Sequence, residues 1–299
     1  MKRKFYKNEV IHIYQRSISG FNLFYTNEDF IVFYTIASIQ AKRIGINMLG
    51  LCLMIDHIHI LLTTDSLKNM SRFLSACTST YVREFNTETG RKGSLFKSSY
   101  GNSIKSEVKQ IRSAIAYLFN NPVEKRLCIR AEDYKWNFLE YCRPGYAIKQ
   151  SRCSRRLKRS MKIVQDSVNC GRYLKYNLQK KLFENLDAEE RKMLTDYILV
   201  AYLPFNASGL TGYYKSYAEM LIAINSNTGS EYDISEKHYC KTDAPYREII
   251  LYLKDIGIKD IKTLIVMPKE EKMQYMILLK AKTSASKIQI KKFLHLGEE

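Results

Sequence analysis

The sequence predicts an α+β protein whose second half is mainly α-helical, and three observations predict it. Over the first 105 residues, short β-branched runs alternate with amphipathic stretches in the order strand, helix, strand, strand, helix, strand. Past residue 173 only helical periodicity and helix caps recur. Between these halves, residues 143–175 hold ten Lys or Arg and one acid, Asp166, behind Pro144 and Gly145. The expected division is therefore 1–145, a basic linker or arm over 146–175, and a helical domain over 176–299.

Taken in order, residues 9–19 read as the first strand, with Val10, His12 and Tyr14 on one face and Ile11 and Ile13 on the other. Asn27, Glu28 and Asp29 open a helix that reaches Arg43, with acids in its first turn and bases in its last, and Gly45 breaks it. Residues 46–54 and 57–63 follow as two strands joined by a short turn near Asp56, then 67–85 as a second helix and 94–104 as an edge strand. That order is the ferredoxin-like split βαβ arrangement of an antiparallel sheet with packed helices, in which the first and third strands are neighbours at the centre. A helix over 105–120 packs on it as an extra element. Pro122 is expected to end that helix, because proline disfavours helical backbone at the preceding residue and donates no backbone hydrogen bond.

In the second half, Asp187 and Glu190 cap a helix that runs to Tyr202, ahead of Pro204. Residues 209–212 read as a turn, 214–224 as a helix, 225–236 as a polar loop, and 244–255 and 269–281 as two more helices. Residues 271–296 look like the first two helices of a helix-turn-helix, with Ser286 and Gln289 as the capping box of the second. DNA reading and packing or self-association both fit that partial unit.

With 299 residues, 45% of them hydrophobic and 26% charged, the chain has room for two domains with a sizeable core in each. Its 48 basic and 30 acidic residues give a net charge of +18, which attracts polyanions, nucleic acid foremost. No apolar run approaches the roughly eighteen residues of a membrane span, and no signal-peptide segment follows Met1-Lys2-Arg3-Lys4. No membrane partner is expected, and the expected location is the cytoplasm. The seven cysteines, at 52, 77, 128, 142, 153, 170 and 240, form no Cys-x-x-Cys pair and read as free thiols.

Chemistry concentrates in two stretches. His57-Ile58-His59 lies in an apolar strand, so both imidazoles share a face about 6.5 to 7 Å apart. That spacing suits a metal ion, and it equally suits two strand histidines bonded to backbone carbonyls. In the 105–120 helix, Val108, Ile111, Ile115, Leu118 and Phe119 fit one face, while Tyr117 lies about 150° from its centre at about 100° per residue. Asn121 sits one turn beyond Tyr117 on the same side.

His57-Ile58-His59 resembles the His-hydrophobic-His element of the single-tyrosine HUH transposases. Tyr117-Leu118-Phe119-Asn120-Asn121-Pro122-Val123 is similar to the tyrosine-bearing helix end of their REP-associated branch. His12-Ile13-Tyr14-Gln15-Arg16, the run from Tyr81 to Asn86 followed by Gly93-Ser94-Leu95-Phe96, and Tyr134-Lys135-Trp136 agree in order and spacing, so the resemblance spans residues 1–145. It implies that 1–145 is the catalytic domain, with Tyr117 as nucleophile, His57 and His59 as metal ligands and Asn121 as a third ligand. Magnesium or manganese is the implied ion, in keeping with the absence of cysteine beside these ligands. A phenol, with a reference pKa of about 10, ionises far more easily than an alcohol and would form a phosphotyrosine. By resemblance the 5′ end stays on the protein, and the partner is single-stranded DNA with hairpin or palindromic repeats. A homodimer, with Tyr117 meeting the histidines of a partner chain, stays open.

Beyond that core, His12 reads either as a site residue beside the histidine pair or as a core residue. Arg91, Lys92, Lys97 and Lys105 suit phosphates, or are ordinary solvated surface. Arg152, Arg155, Arg156, Lys158 and Arg159 form either a solvated linker or an arm along a nucleic-acid backbone. Tyr81 is the rival nucleophile, though Leu74, Cys77 and Phe85 share its stripe and packing explains it. The leading expectation is a DNA transposase that nicks and rejoins single strands, and the alternative is a non-catalytic nucleic-acid-binding regulator on the same fold. A small-molecule metallohydrolase is disfavoured, since only Asp56 stands near the histidines and in a strand it would point away from them.

Overall fold

The structure, a computed structural model, describes residues 9–148, 153–205, 207–226 and 242–297. Strands β1 (Val10–Arg16), β2 (Asn47–Leu53), β3 (His57–Thr63) and β4 (Gly101–Lys105) form one antiparallel sheet in the order β2-β3-β1-β4. This is the expected ferredoxin-like order, with β1 and β3 central and Tyr14 opposite His59. The edge strand is much shorter than expected. Phe96 makes only an isolated bridge to Ser17, and Lys97 is held beside β1 by its N–H on Arg16 O and by the Gln15 side chain on its carbonyl. Where β4 does begin, the Tyr14 ring lies so close over Gly101 that a β-carbon there would fall 2.0 Å from Tyr14 Cε1.

Helix α1 (Asn27–Ile44) begins where Asp29 accepts hydrogen bonds from the Tyr25 and Thr26 N–H groups, and it ends at Gly45 with φ 77°. Helix α2 (Leu67–Thr89) packs against it. Ile11, Ile13, Ile58 and Ile60, which alternate with the histidines, are fully buried in the core. Helix α3 (Val108–Glu124) crosses the histidine face. It does not stop at Asn121 but runs through Pro122. The missing N–H costs one backbone bond, while Lys125 N–H to Asn121 O and Leu127 N–H to Pro122 O close the last turn. Burial of Leu118, Phe119 and Pro122 outweighs that loss. Val108, expected in the buried stripe, is exposed, so the stripe starts at Ile111.

The second half folds as α4 (Arg155–Asn169), α5 (Tyr176–Phe183), α6 (Ala188–Ala201), α7 (Ala207–Thr211), α8 (Tyr217–Asn225), α9 (Ala244–Asp255), α10 (Lys269–Lys282) and α11 (Lys287–Phe293). The Asp187/Glu190 and Ser286/Gln289 capping boxes form as expected. The turn expected over 209–212 instead overlaps the end of α7, anchored by the fully buried Leu210. The polar loop expected over 225–236 lies outside the described residues from 227 onward. Helix α4 is capped by Ser154 and docks through Leu157, Ser160, Val164 and Ser167. The helical half meets α1 through Tyr34 Oη on Leu199 O and Tyr25 Oη on Phe293 O, and the buried residues of both halves form one continuous cluster. Among the described residues, no helix is long and apolar enough to cross a membrane, and six cysteines are free thiols.

Candidate active site

Strand alternation puts His57, His59 and, from β1, His12 on the face that α3 covers. His12 Nε2 lies 3.2 Å from His59 Nδ1, with the two rings stacked at a centroid distance of 5.3 Å. The His57 ring stands nearly perpendicular to that of His59, 4.9 Å away. From α3, the Tyr117 ring meets His12 and His59 edge-on at 5.7 and 5.4 Å. One turn later Asn121 Nδ2 lies 3.2 Å from His59 Nε2. A carboxamide nitrogen only donates, so in this arrangement His59 Nε2 accepts and Nδ1–H donates to His12 Nε2. The five residues singled out in the sequence, His12 included, thus meet in one place.

Residues 10–121 match the model of the family described as transposase, IS200-like. That segment, about a third of the chain, is similar to this family. Among solved structures, one of a REP-associated tyrosine transposase bound to a REP hairpin is similar with a TM-score of 0.41 and 13% identity, covering 51% of this chain and 91% of that one. No curated protein matches the chain.

Within the matched segment, one contact overturns an expectation. Asp56 does not point away from the histidines. It sits in the bend before β3, where strand alternation does not govern direction, and His57 Nδ1–H donates to its Oδ1 at 2.6 Å. Burial works against the Asp56 charge, but the His57 hydrogen bond and the nearby His57, Lys292 and Arg16 charges outweigh it and hold its pKa below the carboxylate range. Fixing Nδ1 in this way orients the His57 ring and turns its Nε2 toward the interior. An acid directly before a histidine at a strand start was the signal that could have revealed it.

Two further groups come from outside the domain and carried no sequence signal. Lys292 Nζ of α11 lies 3.6 Å from Asp56 Oδ2. Asp243, ahead of α9, donates its backbone N–H to Lys125 O just past the end of α3. Burial first, then the Asp56 charge, push the Asp243 carboxyl up to about 6. The site is closed: Tyr117 and His57 are each 3% exposed, Asn121 1% and His59 0%.

The other expected site residues lie elsewhere. Tyr81 is fully buried in the core, and its hydroxyl donates to Leu23 O at 2.6 Å. Burial, then the Asp29 charge, keep its pKa well above that of a free phenol. Tyr81→Phe should leave any DNA adduct intact yet lower stability by about 1 to 3 kcal/mol, because the Leu23 carbonyl loses its donor. A chemical denaturation curve unchanged from wild type would show that this bond holds nothing. Arg91 is committed to the loop it sits in, donating to Asn86 Oδ1, Gly93 O and Ser94 O. Lys92 and Lys97 are exposed, and Lys105 is buried. Arg155, Arg156, Lys158 and Arg159 line the outer side of α4, with Arg156 paired to Glu184, and Arg152 lies outside the described residues.

Proposed function

We propose that the chain is a metal-dependent tyrosine transposase that nicks and rejoins single-stranded, hairpin-bearing DNA through a 5′-phosphotyrosine on Tyr117. The observation that carries this reading is the placement of the Tyr117 ring against His12 and His59, with Asn121 on the same imidazole. In this reading residues 1–145 are the catalytic unit, 146–175 a basic arm and 176–299 a helical domain.

Among the described residues, no group of three or more His, Cys, Asp or Glu side chains is placed to hold a metal ion. The donor set proposed is different: His57 Nε2, His59 Nε2, which would exchange the Asn121 N–H for the ion, and the carboxamide oxygen of Asn121. That Oδ1 is buried and makes no hydrogen bond among the described residues, the condition expected of an oxygen kept for a cation. Two imidazoles and one oxygen, without thiolate, would hold a divalent cation, and magnesium or manganese is the one the family resemblance implies. When bound, such an ion supplies Lewis-acid polarisation of the phosphate oxygens. Asp56 fixes the His57 ring, and His12 fixes that of His59.

The Tyr117 phenol gives up its proton to solvent and attacks phosphorus in line. The new bond joins tyrosyl oxygen to phosphorus, the bond from phosphorus to O3′ breaks, and the 3′ oxygen leaves as a hydroxyl. Attack by another 3′ hydroxyl reverses the step and joins strands without ATP. Tyr117 is 3% exposed, so the strand reaches it only after neighbouring groups move aside.

The test incubates labelled hairpin-bearing single-stranded DNA with protein and magnesium, then looks for a denaturation-resistant adduct mapped to Tyr117. Tight, salt-sensitive binding with no adduct leaves the non-catalytic regulator instead. Asp56→Asn should weaken magnesium- or manganese-supported adduct formation about 10- to 100-fold, recoverable at higher metal concentration. A metal titration that superimposes on wild type would remove Asp56 from this role.

A further inference from the structure

We infer that the cleft between α10 and α11 is a second nucleic-acid site, one that grips backbone phosphates away from the phosphodiester that reacts at Tyr117. The inference rests on the DNA reading above and extends it to a part of the chain outside the IS200-like segment.

The cleft has a volume of about 540 Å³, and its walls carry Lys269, Lys272, Lys287 and Lys291 over Met273 and Met276. No carboxylate lines it among the described residues, although Glu270 and Glu271 stand next to Lys269 in sequence. The ammonium groups of Lys272, Lys287 and Lys291 set up a positive field that is strongest inside the concavity, where the low-dielectric walls focus it on whatever enters. Lys272 sharpens the case. It is buried and donates to Ile265 O at 2.6 Å, and burial first, then the Arg91 charge, lower its pKa. An anion in the cleft offsets both effects on the Lys272 ammonium.

The pattern suits a backbone more than a small anion. Lys269 and Lys272 are one turn apart on α10, and Lys287 and Lys291 one turn apart on α11, so each pair has β-carbons about 5 to 6 Å apart. Two such rows can meet consecutive phosphates, and the methionines between them form an adaptable apolar floor for sugars. Helix α11 divides its work. Ile290 and Phe293 are fully buried and dock it, Lys287 and Lys291 line the cleft, and Lys292 turns the other way, to Asp56. The cleft and the tyrosine site thus share one short helix.

Full-length protein would be titrated onto a fluorescent hairpin oligonucleotide across a range of KCl, following anisotropy. The cleft variant Lys287→Glu/Lys291→Glu is compared with Lys42→Glu/Lys254→Glu, which makes the same charge change at exposed lysines elsewhere. Loss of two phosphate contacts should raise Kd about tenfold or more and make the slope of log Kd against log salt shallower by about 2, with the control shifted by less than about threefold. At saturating DNA the Tyr117 adduct should still form. Equal weakening by both pairs, or none by the cleft pair, overturns the inference, since bulk charge would then explain everything. Failure of the wild type to bind hairpin DNA refutes the DNA reading as well, a separate outcome. Should the reversal impair folding, Lys287→Gln/Lys291→Gln against Lys42→Gln/Lys254→Gln decides on the same criteria.

Discussion

Tyr117→Phe should abolish the covalent DNA adduct while hairpin affinity stays within about twofold of wild type. The substitution removes one oxygen and keeps the ring, so the edge-on contacts to His12 and His59 survive and the site keeps its shape. What disappears is the oxygen proposed to bond phosphorus, and loss of a nucleophile typically lowers turnover by about 10⁶-fold. Chelation of divalent metal should act differently: the wild type retains its phenol and its DNA, and adduct formation returns when magnesium is restored. Denaturing gels, mass spectrometry of the labelled peptide and anisotropy together separate the two effects. An adduct that persists in Tyr117→Phe moves the nucleophile to another residue. One that forms unchanged in excess chelator removes the metal from the reaction.

The parts of this site that could be read in advance were those governed by local periodicity. His57 and His59 share a face because β3 alternates, and Tyr117 and Asn121 share one because α3 turns every 3.6 residues, so short-range geometry placed all four. The β1 to β3 pairing then delivered His12, since the fold class fixes which strands are neighbours. Errors came where a local rule met a boundary. Asp56 precedes the strand whose alternation was applied to it, and Pro122 was given the power to end a helix whose last turn is buried. Lys292 and Asp243 were illegible for another reason. Their place beside Asp56 depends on how the helical half docks, which no spacing within residues 10–121 encodes.

That docking turns on Asp29, and Asp29→Ala should cost about 3 to 5 kcal/mol of stability. The carboxylate is fully buried, accepts the Tyr25 and Thr26 N–H groups at the start of α1 and the Tyr176 hydroxyl of α5, and lies 3.1 Å from Lys262 Nζ. Lys262 in turn sits 4.4 Å over the Tyr176 ring, with its side chain 7% exposed. Alanine would leave a buried ammonium with Glu88, 4.0 Å away, in place of its closer counter-ion, and α1 without its cap. Burial alone would depress the Lys262 pKa, but the Asp29 charge and hydrogen bond outweigh it and raise the value. A group whose folded pKa is raised contributes fully below its unfolded pKa, so this stabilisation is complete at neutral pH. It is lost only as pH climbs past the ordinary lysine range, through the folded value. Asp29→Asn, which keeps an oxygen for the cap, should lose less than alanine does. Lys262→Met combined with Asp29→Asn should recover most of the loss by removing both charges together. Urea unfolding of the single and double variants measures the coupling, and an Asp29→Ala loss below about 1 kcal/mol would mean that the helical half is held to α1 by apolar packing alone.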